Sequence, residues 1–122
     1  MIQGVIVGHR DIGASILRAL ESISGPVRDI CFCSNEGLST RELAAKIQEC
    51  TGRNDVPSII FVDVFGGSCW HAVKMAQTPN SHIITGLNLP MLLAFISKRD
   101  TVPFEELPSV LASDGIRGIT ME

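Results

Sequence analysis

The sequence predicts an α/β fold with a doubly wound, mostly parallel sheet and helices on both faces. Short runs rich in β-branched residues alternate with longer segments of helical period, which is typical of a parallel sheet. Runs such as SIIFVDV (58–64) are apolar on both faces, as a sheet covered on both sides requires. We therefore expect about four parallel strands plus a C-terminal edge strand.

The strands are predicted by four apolar runs and one terminal segment. The four runs cover residues 4–8, 27–34, 58–64 and 81–87. The last eight residues, GIRGITME (115–122), predict the short edge strand.

Five segments of helical period are predicted, at residues 12–25, 39–52, 67–78, 89–99 and 103–113. In the second, Ser39 and Glu42 have the spacing of a capping box, and Gly52 is the expected stop. Pro90 lies in the first turn of the fourth segment, where proline is well tolerated. Pro108 lies inside the fifth segment and predicts a kink there.

Composition excludes several classes of protein. The 122 residues are expected to form a single domain, 1–122. A net charge of −3, with ten Lys and Arg that do not cluster, argues against a nucleic-acid partner. No apolar stretch approaches the about 20 residues of a membrane span, and the N-terminus lacks the pattern of a signal peptide. We expect a cytoplasmic protein without direct membrane insertion.

The four cysteines are Cys31, Cys33, Cys50 and Cys69, and none forms a C-x-x-C pair. Two residues apart on a strand, Cys31 and Cys33 share one face, which favours buried structural thiols in a reducing compartment. A metal site of Cys31, Cys33 and a histidine is the alternative. No metal and no cofactor is predicted.

Two polar residues follow predicted strands where the carboxyl ends of parallel strands meet. His9 follows the first strand and Asp63 closes the apolar part of the third. Functional crevices lie at this edge, near a topological switch point. A carboxylate that accepts a hydrogen bond from one imidazole nitrogen leaves the other free to attack. The alternatives are a solvated surface histidine and a helix-capping aspartate.

Gly66, Gly67 and Ser68 precede the third helix and predict an anion site. Glycines allow close approach, and a helix N-terminus supplies N–H donors and partial positive charge. Neither a Walker loop nor a G-x-G-x-x-G motif is present, which argues against a nucleotide. A nucleophilic histidine, an orienting carboxylate and an anion site suit a phosphoryl group carried on nitrogen. The alternatives are a plain turn and a hydrolase triad of Ser68, His9 and Asp63, although the G-x-S-x-G elbow is missing.

Three segments together resemble one family. They are IVGHRDIGASIL (6–17), IIFVDVFGGSCWHAV (59–73) and ITGLNLPMLLAFI (84–96). Their order and separations are similar to the mannose-class enzyme IIA of the bacterial phosphoenolpyruvate-dependent sugar phosphotransferase system. The resemblance implies that His9 is phosphorylated, that Asp63 is its hydrogen-bond partner, and that Gly67 and Ser68 border the phosphate.

The resemblance also implies partners. The donor would be the histidine phosphocarrier HPr and the acceptor a IIB domain, here not fused to the chain, with association to a IIC/IID permease. A homodimer that exchanges the C-terminal strand RGITME (117–122) is expected. A regulator without a transport role, or the IIA-like subunit that serves dihydroxyacetone kinase, is the alternative. The chain departs from the family at Arg10 and Asp11, where glycine usually follows the histidine, at Phe65 (usually tryptophan) and at Cys69 (usually proline).

Overall fold

Four parallel strands form one sheet. They are β1 (Gln3–Gly8), β2 (Ile30–Ser34), β3 (Ser58–Val62) and β4 (Ser81–Thr85). The structure is a computed structural model that describes residues 1–51 and 55–122. The strand order is β2-β1-β3-β4, and every neighbouring pair is parallel. The predicted α/β class and its four parallel strands are confirmed.

Five helices complete the fold. They are α1 (Ile12–Ser24), α2 (Thr40–Thr51), α3 (Ser68–Ala76), α4 (Leu89–Lys98) and α5 (Leu107–Arg117). The predicted capping box at the start of α2 is confirmed, because the Ser39 N–H donates to Glu42 Oε1 at 2.9 Å and the Glu42 N–H to Ser39 Oγ at 3.1 Å. These hydrogen bonds lower the pKa of Glu42. The expected stop at Gly52 lies outside the described residues.

Alternation along the two central strands supplies both halves of the core. Ile6 and Phe61 face α1, α4 and α5, whereas Val7 and Val62 face α2 and α3. All four side chains are fully buried. Helices therefore cover both faces of the sheet, which explains why both faces of these strands carry apolar side chains along most of their length.

Two predictions for the C-terminal region are wrong. Pro108 does not kink a helix, because α5 begins at Leu107 and the proline lies in its first turn, where a missing N–H is not needed. The edge strand is absent: residues 115–117 belong to α5, and no strand pairing involves residues 118–122 in the part of the chain described. Gly115 packs against Met91 of α4, which favours continuing the helix.

The topology creates a switch point between β1 and β3. The chain leaves β1 toward β2 on one side, and it leaves β3 toward β4 on the other. The loops after these two strands therefore diverge and open a crevice at their carboxyl ends. His9 and Asp63 are the first residues beyond β1 and β3, so the fold places them side by side.

Replacing Phe61 with alanine is expected to lower the free energy of unfolding by about 3–5 kcal/mol, because the ring is fully buried and meets Phe95 edge-on at 5.2 Å. Phe65→Ala is the matched control: that ring is 70% exposed, and its loss should cost about 1 kcal/mol or less. Urea denaturation of the two variants measures both values. Equal losses would contradict this assignment of the core.

Candidate functional site

Asp63 fixes the ring of His9 at the switch point. Asp63 Oδ2 lies 2.7 Å from His9 Nδ1 and also accepts the backbone N–H of His9 at 2.9 Å. The other carboxylate oxygen, Oδ1, accepts the backbone N–H of Val64 at 2.9 Å. The carboxylate is thus oriented by two backbone donors and holds the ring by a third hydrogen bond.

This contact decides which ring nitrogen is available. A carboxylate oxygen only accepts, so the Asp63 contact places the imidazole proton on Nδ1. The lone pair is then on Nε2. The His9 side chain is 43% exposed, whereas that of Asp63 is 9% exposed. The site therefore presents a partly exposed, nucleophilic Nε2 with its orienting acid behind it.

The turn before α3 lies against the same ring. Gly66 has φ +81°, a conformation that glycine adopts without strain. A Cβ at Gly67 would lie 3.2 Å from Val64 Cγ1 and 3.5 Å from His9 Cε1, so a larger side chain at this position would reach the ring edge. The Ser68 hydroxyl is 3.4 Å from Nε2, in the first turn of α3. Of the predicted residues, Gly67 and Ser68 thus lie beside Nε2, and Gly66 forms the turn that leads to them.

Gly67 is the N-cap of α3 and has no side chain to cap it. Unpaired N–H groups and the positive end of the helix dipole favour an anion at such a terminus. An anion bound to Nε2 would lie beside this terminus and the Ser68 hydroxyl. The arrangement is suited to a phosphoryl group attached to His9.

Cys69 is a neighbour of His9 that the sequence interpretation does not place at the site. Its burial, expected for a structural thiol, is confirmed at 0% exposure. Its Sγ lies 3.7 Å from His9 Nδ1. Burial, and then the negative charge of Asp63, raise the pKa of Cys69 to about 11, so it is a thiol at neutral pH. Its position directly after Ser68 is the signal that could have found it.

Asn35 is a second residue that sequence reasoning misses. Its Oδ1 accepts the backbone N–H of Arg10 at 3.0 Å, and its own N–H donates to the Gly8 carbonyl at 3.3 Å. Arg10 has φ +52°, which is unusual for a residue with a side chain. Asn35 therefore secures the turn on which His9 sits. Its place directly after β2 is the available signal.

Apolar side chains are exposed next to the site. Val64 is 51% and Phe65 70% exposed, and the Phe65 ring packs on Trp70 with centroids 5.0 Å apart. Contiguous exposed apolar surface is a feature of sites that bind other proteins.

The metal site considered for Cys31, Cys33 and a histidine does not form. Within the described ranges, 1–51 and 55–122, the group of potential metal ligands that come together is His9, Asp63 and Cys69. Cys33 instead lies with its Sγ 3.4 Å from that of Cys50. This shared hydrogen bond, together with burial, holds the pKa of Cys33 above its ordinary value.

Comparison with known proteins identifies the family of this chain. The family EIIA-man, described as "PTS system fructose IIA component", matches residues 3–111. The chain belongs to this family. As an EIIA chain it has the role of a phosphocarrier component of the sugar phosphotransferase system, which confirms the resemblance seen in the sequence.

Individual relatives agree with the family assignment. The EIIA chain is 28% identical over 116 residues to the fructose-specific EIIA component of Bacillus subtilis (strain 168), covering 88% of this chain and 77% of that protein. It is 22% identical over 110 residues to the sorbose-specific EIIA component of Klebsiella pneumoniae, covering 88% and 82%. A crystal structure of an EIIA component from Streptococcus agalactiae superposes with a TM-score of 0.91 at 21% identity, covering 99% of this chain and 97% of that one, and supports the fold.

Across the described residues of the EIIA chain, no helix has both the length and the apolar character needed to cross a bilayer.

Proposed function

We propose that this chain accepts a phosphoryl group on His9 Nε2 from phospho-HPr and passes it to a IIB domain during sugar uptake. In this proposal His9 is the phosphoacceptor, Asp63 orients it, and Gly66, Gly67 and Ser68 bind the phosphate. The contact that carries the proposal is the 2.7 Å distance between Asp63 Oδ2 and His9 Nδ1. It leaves the lone pair on the nitrogen that is open to a partner.

The transfer follows from these positions. The Nε2 lone pair attacks the phosphorus of phospho-HPr, and the bond between that phosphorus and the donor histidine breaks, its electron pair returning to the donor nitrogen. The His9 ring becomes cationic as the new bond forms, and Asp63 stabilises that charge through Nδ1–H. Phosphoryl transfer of this kind depends mainly on positioning and charge stabilisation. In the second transfer a nucleophilic side chain of the IIB domain attacks the phosphorus, the bond between phosphorus and His9 Nε2 breaks, and its electron pair returns to Nε2.

The partners in this proposal meet the exposed surface next to His9. Val64 and Phe65 supply apolar contact area, and HPr and the IIB domain would use it in turn. We place the chain in the cytoplasm, where it would associate with a IIC/IID permease.

We also propose that the chain works as a homodimer. Three apolar side chains of the C-terminal region are largely exposed to solvent, at 69–97%: Ile116, Ile119 and Met121. Exposed apolar side chains that lie together are typical of an interface with another protein. A second copy of the chain packed against the end of α5 and the residues after it would bury them. Analytical ultracentrifugation tests this: a dimer is expected, and Ile119→Asp together with Met121→Asp should shift it to monomer. A monomeric wild-type chain would contradict the proposal.

The phosphocarrier proposal is tested by incubation with phosphoenolpyruvate, enzyme I and HPr. Intact mass should show the gain of one phosphoryl group that is labile in acid and stable in base. A IIA protein known to be phosphorylated by the same mixture serves as the positive control. If the control gains the group and this chain does not, the proposal is wrong.

A second candidate follows from the order Ser68, His9, Asp63. The Ser68 hydroxyl lies 3.4 Å from Nε2, an arrangement that also suits acyl transfer by serine. Ser68→Ala separates the two functions. A phosphocarrier keeps accepting phosphoryl on His9, at a lower rate, whereas an esterase loses all turnover. We favour the phosphocarrier because Ser68 follows an anion-binding turn and not a nucleophile elbow.

The two glycines before Ser68 should give opposite results when replaced. Gly67→Val is expected to slow phosphorylation at least about tenfold, because the methyl groups beyond its Cβ would reach the ring edge of His9, with a modest loss of stability from contact of that Cβ with Val64 Cγ1 at 3.2 Å. Gly66→Ala meets open space, but φ +81° makes it destabilising by about 1–2 kcal/mol. Rates from phospho-HPr and urea denaturation measure the pair. Equal effects of the two variants on the rate would contradict this view of the site.

A further inference from the structure

Three potential metal ligands of different chemistry meet behind the His9 ring. His9 Nδ1, Asp63 Oδ2 and Cys69 Sγ all lie within 4.8 Å of one another. Within residues 1–51 and 55–122, no other group of three His, Cys, Asp or Glu side chains brings its ligand atoms this close together. The proposed phosphoryl transfer uses Nδ1 and the carboxylate to orient the ring and to stabilise its charge, and it does not use the sulfur.

The ligand set suits a borderline-soft divalent cation such as zinc. In tetrahedral zinc sites with nitrogen, oxygen and sulfur ligands, ligand atoms lie about 3.3–3.6 Å apart. The distance between His9 Nδ1 and Cys69 Sγ, 3.7 Å, is longer than the upper end of this range by only about 0.1 Å. The distance between His9 Nδ1 and Asp63 Oδ2, 2.7 Å, would have to open by about 0.6 Å to reach it. A water molecule would complete the four ligands of a tetrahedral site.

We propose that His9, Asp63 and Cys69 form an inhibitory zinc site that excludes the phosphoryl group. Binding needs no oxidant or reductant. The metal bonds to Nδ1, Oδ2 and Sγ, the thiol releases its proton to solvent, and the imidazole proton moves from Nδ1 to Nε2.

The exclusion follows from the tautomer of the ring. A neutral imidazole carries one proton, and a metal on Nδ1 leaves it on Nε2. The lone pair needed for attack on phosphorus is then lost, although Nε2 stays exposed. This consequence rests on the proposed function, whereas the metal site itself does not. Thiolate ligation also selects against Mg²⁺, so magnesium in a phosphorylation mixture should leave the site empty.

Cobalt substitution tests the site without reference to activity. Metal-free protein titrated with Co²⁺ should develop a thiolate-to-cobalt charge-transfer band, saturating at one cobalt per chain and removed by added Zn²⁺. Cys69→Ala and Cys69→Ser should weaken cobalt binding by more than the about 10–100-fold that loss of an outer-shell partner costs. Cys33→Ala, which removes another buried thiol, should keep the band. A wild-type protein without the band, or a Cys69→Ala protein that retains it, overturns the proposal.

The competition is tested in a single step from purified phospho-HPr. For each protein, the rate of phosphoryl transfer from phospho-HPr is measured in a zinc-loaded form freed of excess metal and in the metal-free form. The result for each variant is the ratio of these two transfer rates. We expect zinc to slow the wild type at least about tenfold and the Cys69→Ser ratio to stay near one. Unchanged wild-type transfer with zinc bound overturns the inhibitory role. Absence of phosphorylation in metal-free protein would refute the proposed function instead, and the cobalt result would stand.

Discussion

A His9→Ala variant is expected to gain no phosphoryl group under conditions that fully phosphorylate the wild type. The substitution removes Nε2, the nitrogen that the Asp63 contact leaves with a lone pair. It should not unfold the chain, because the backbone N–H of residue 9 still donates to Asp63 and the lost ring is partly exposed. Intact mass after incubation with phosphoenolpyruvate, enzyme I and HPr gives the result.

His71→Ala is the matched control for this variant. His71 is exposed on α3, one turn beyond Ser68, and packs against Trp70. Its replacement should leave phosphorylation at the wild-type level. A phosphoryl group gained by His9→Ala, or lost from His71→Ala, would show that a different residue is the acceptor.

Asp63→Asn is expected to fold and to accept phosphoryl about 10²–10⁴-fold more slowly, the range that positioned proton control contributes. The carboxylate accepts three N–H groups, from the His9 backbone, the His9 ring and Val64. A carboxamide has one accepting oxygen. If the carboxamide NH₂ group faces Nδ1, it must donate to that nitrogen, and the ring proton moves to Nε2. If the carboxamide oxygen faces Nδ1 instead, the NH₂ group points at the Val64 N–H, which is also a donor. We expect a stability loss of about 1–3 kcal/mol in addition.

Asp11→Asn is the control for charge. Asp11 is exposed two residues after His9, and its carboxylate lies near Ser15, so the substitution removes the same charge without touching the ring. Its transfer rate from phospho-HPr, measured by rapid quench, should stay within a few-fold of the wild type. If both variants slow transfer equally, the effect of Asp63 is one of net charge and the tautomer argument is wrong.

Much of the fold was predictable because local signals and topology agree. The runs around Ile6 and Phe61 are apolar on both faces, and only a sheet covered by helices on both sides buries such runs. Ser39 and Glu42 predict the start of α2 through hydrogen bonds that involve four adjacent residues only. Because these hydrogen bonds are local, they can be predicted without knowing how the rest of the chain folds.

The conformation of the C-terminal region could not be predicted from local sequence patterns. GIRGITME has no pattern that distinguishes the last turn of a helix from an edge strand, and in the structure residues 115–117 continue α5, with Gly115 close to the Met91 side chain. Pro108 is ambiguous for a similar reason. Only the start of α5 at Leu107 tells whether the proline lies in the first turn or the middle of a helix.

The sequence predicts the two functional side chains of the candidate site, but not the residues that contact them and hold them in place. His9 and Asp63 follow strands whose carboxyl ends meet, so sequence position alone brings them together. Cys69 and Asn35 contribute through contacts made across the fold, a thiol 3.7 Å from the ring and an amide that secures the turn at Arg10. Contacts between residues this far apart in sequence depend on how helix and loop pack, which periodicity does not encode.

The most direct test of this account is nitrogen and phosphorus NMR on the phosphorylated protein with labelled histidine. Before phosphorylation, the His9 ring should carry its proton on Nδ1. After phosphorylation, the spectra should show scalar coupling between phosphorus and Nε2 of His9, and Nδ1–H should still be hydrogen-bonded to Asp63. Phosphorus on Nδ1, on His71 or on His82 would contradict the account.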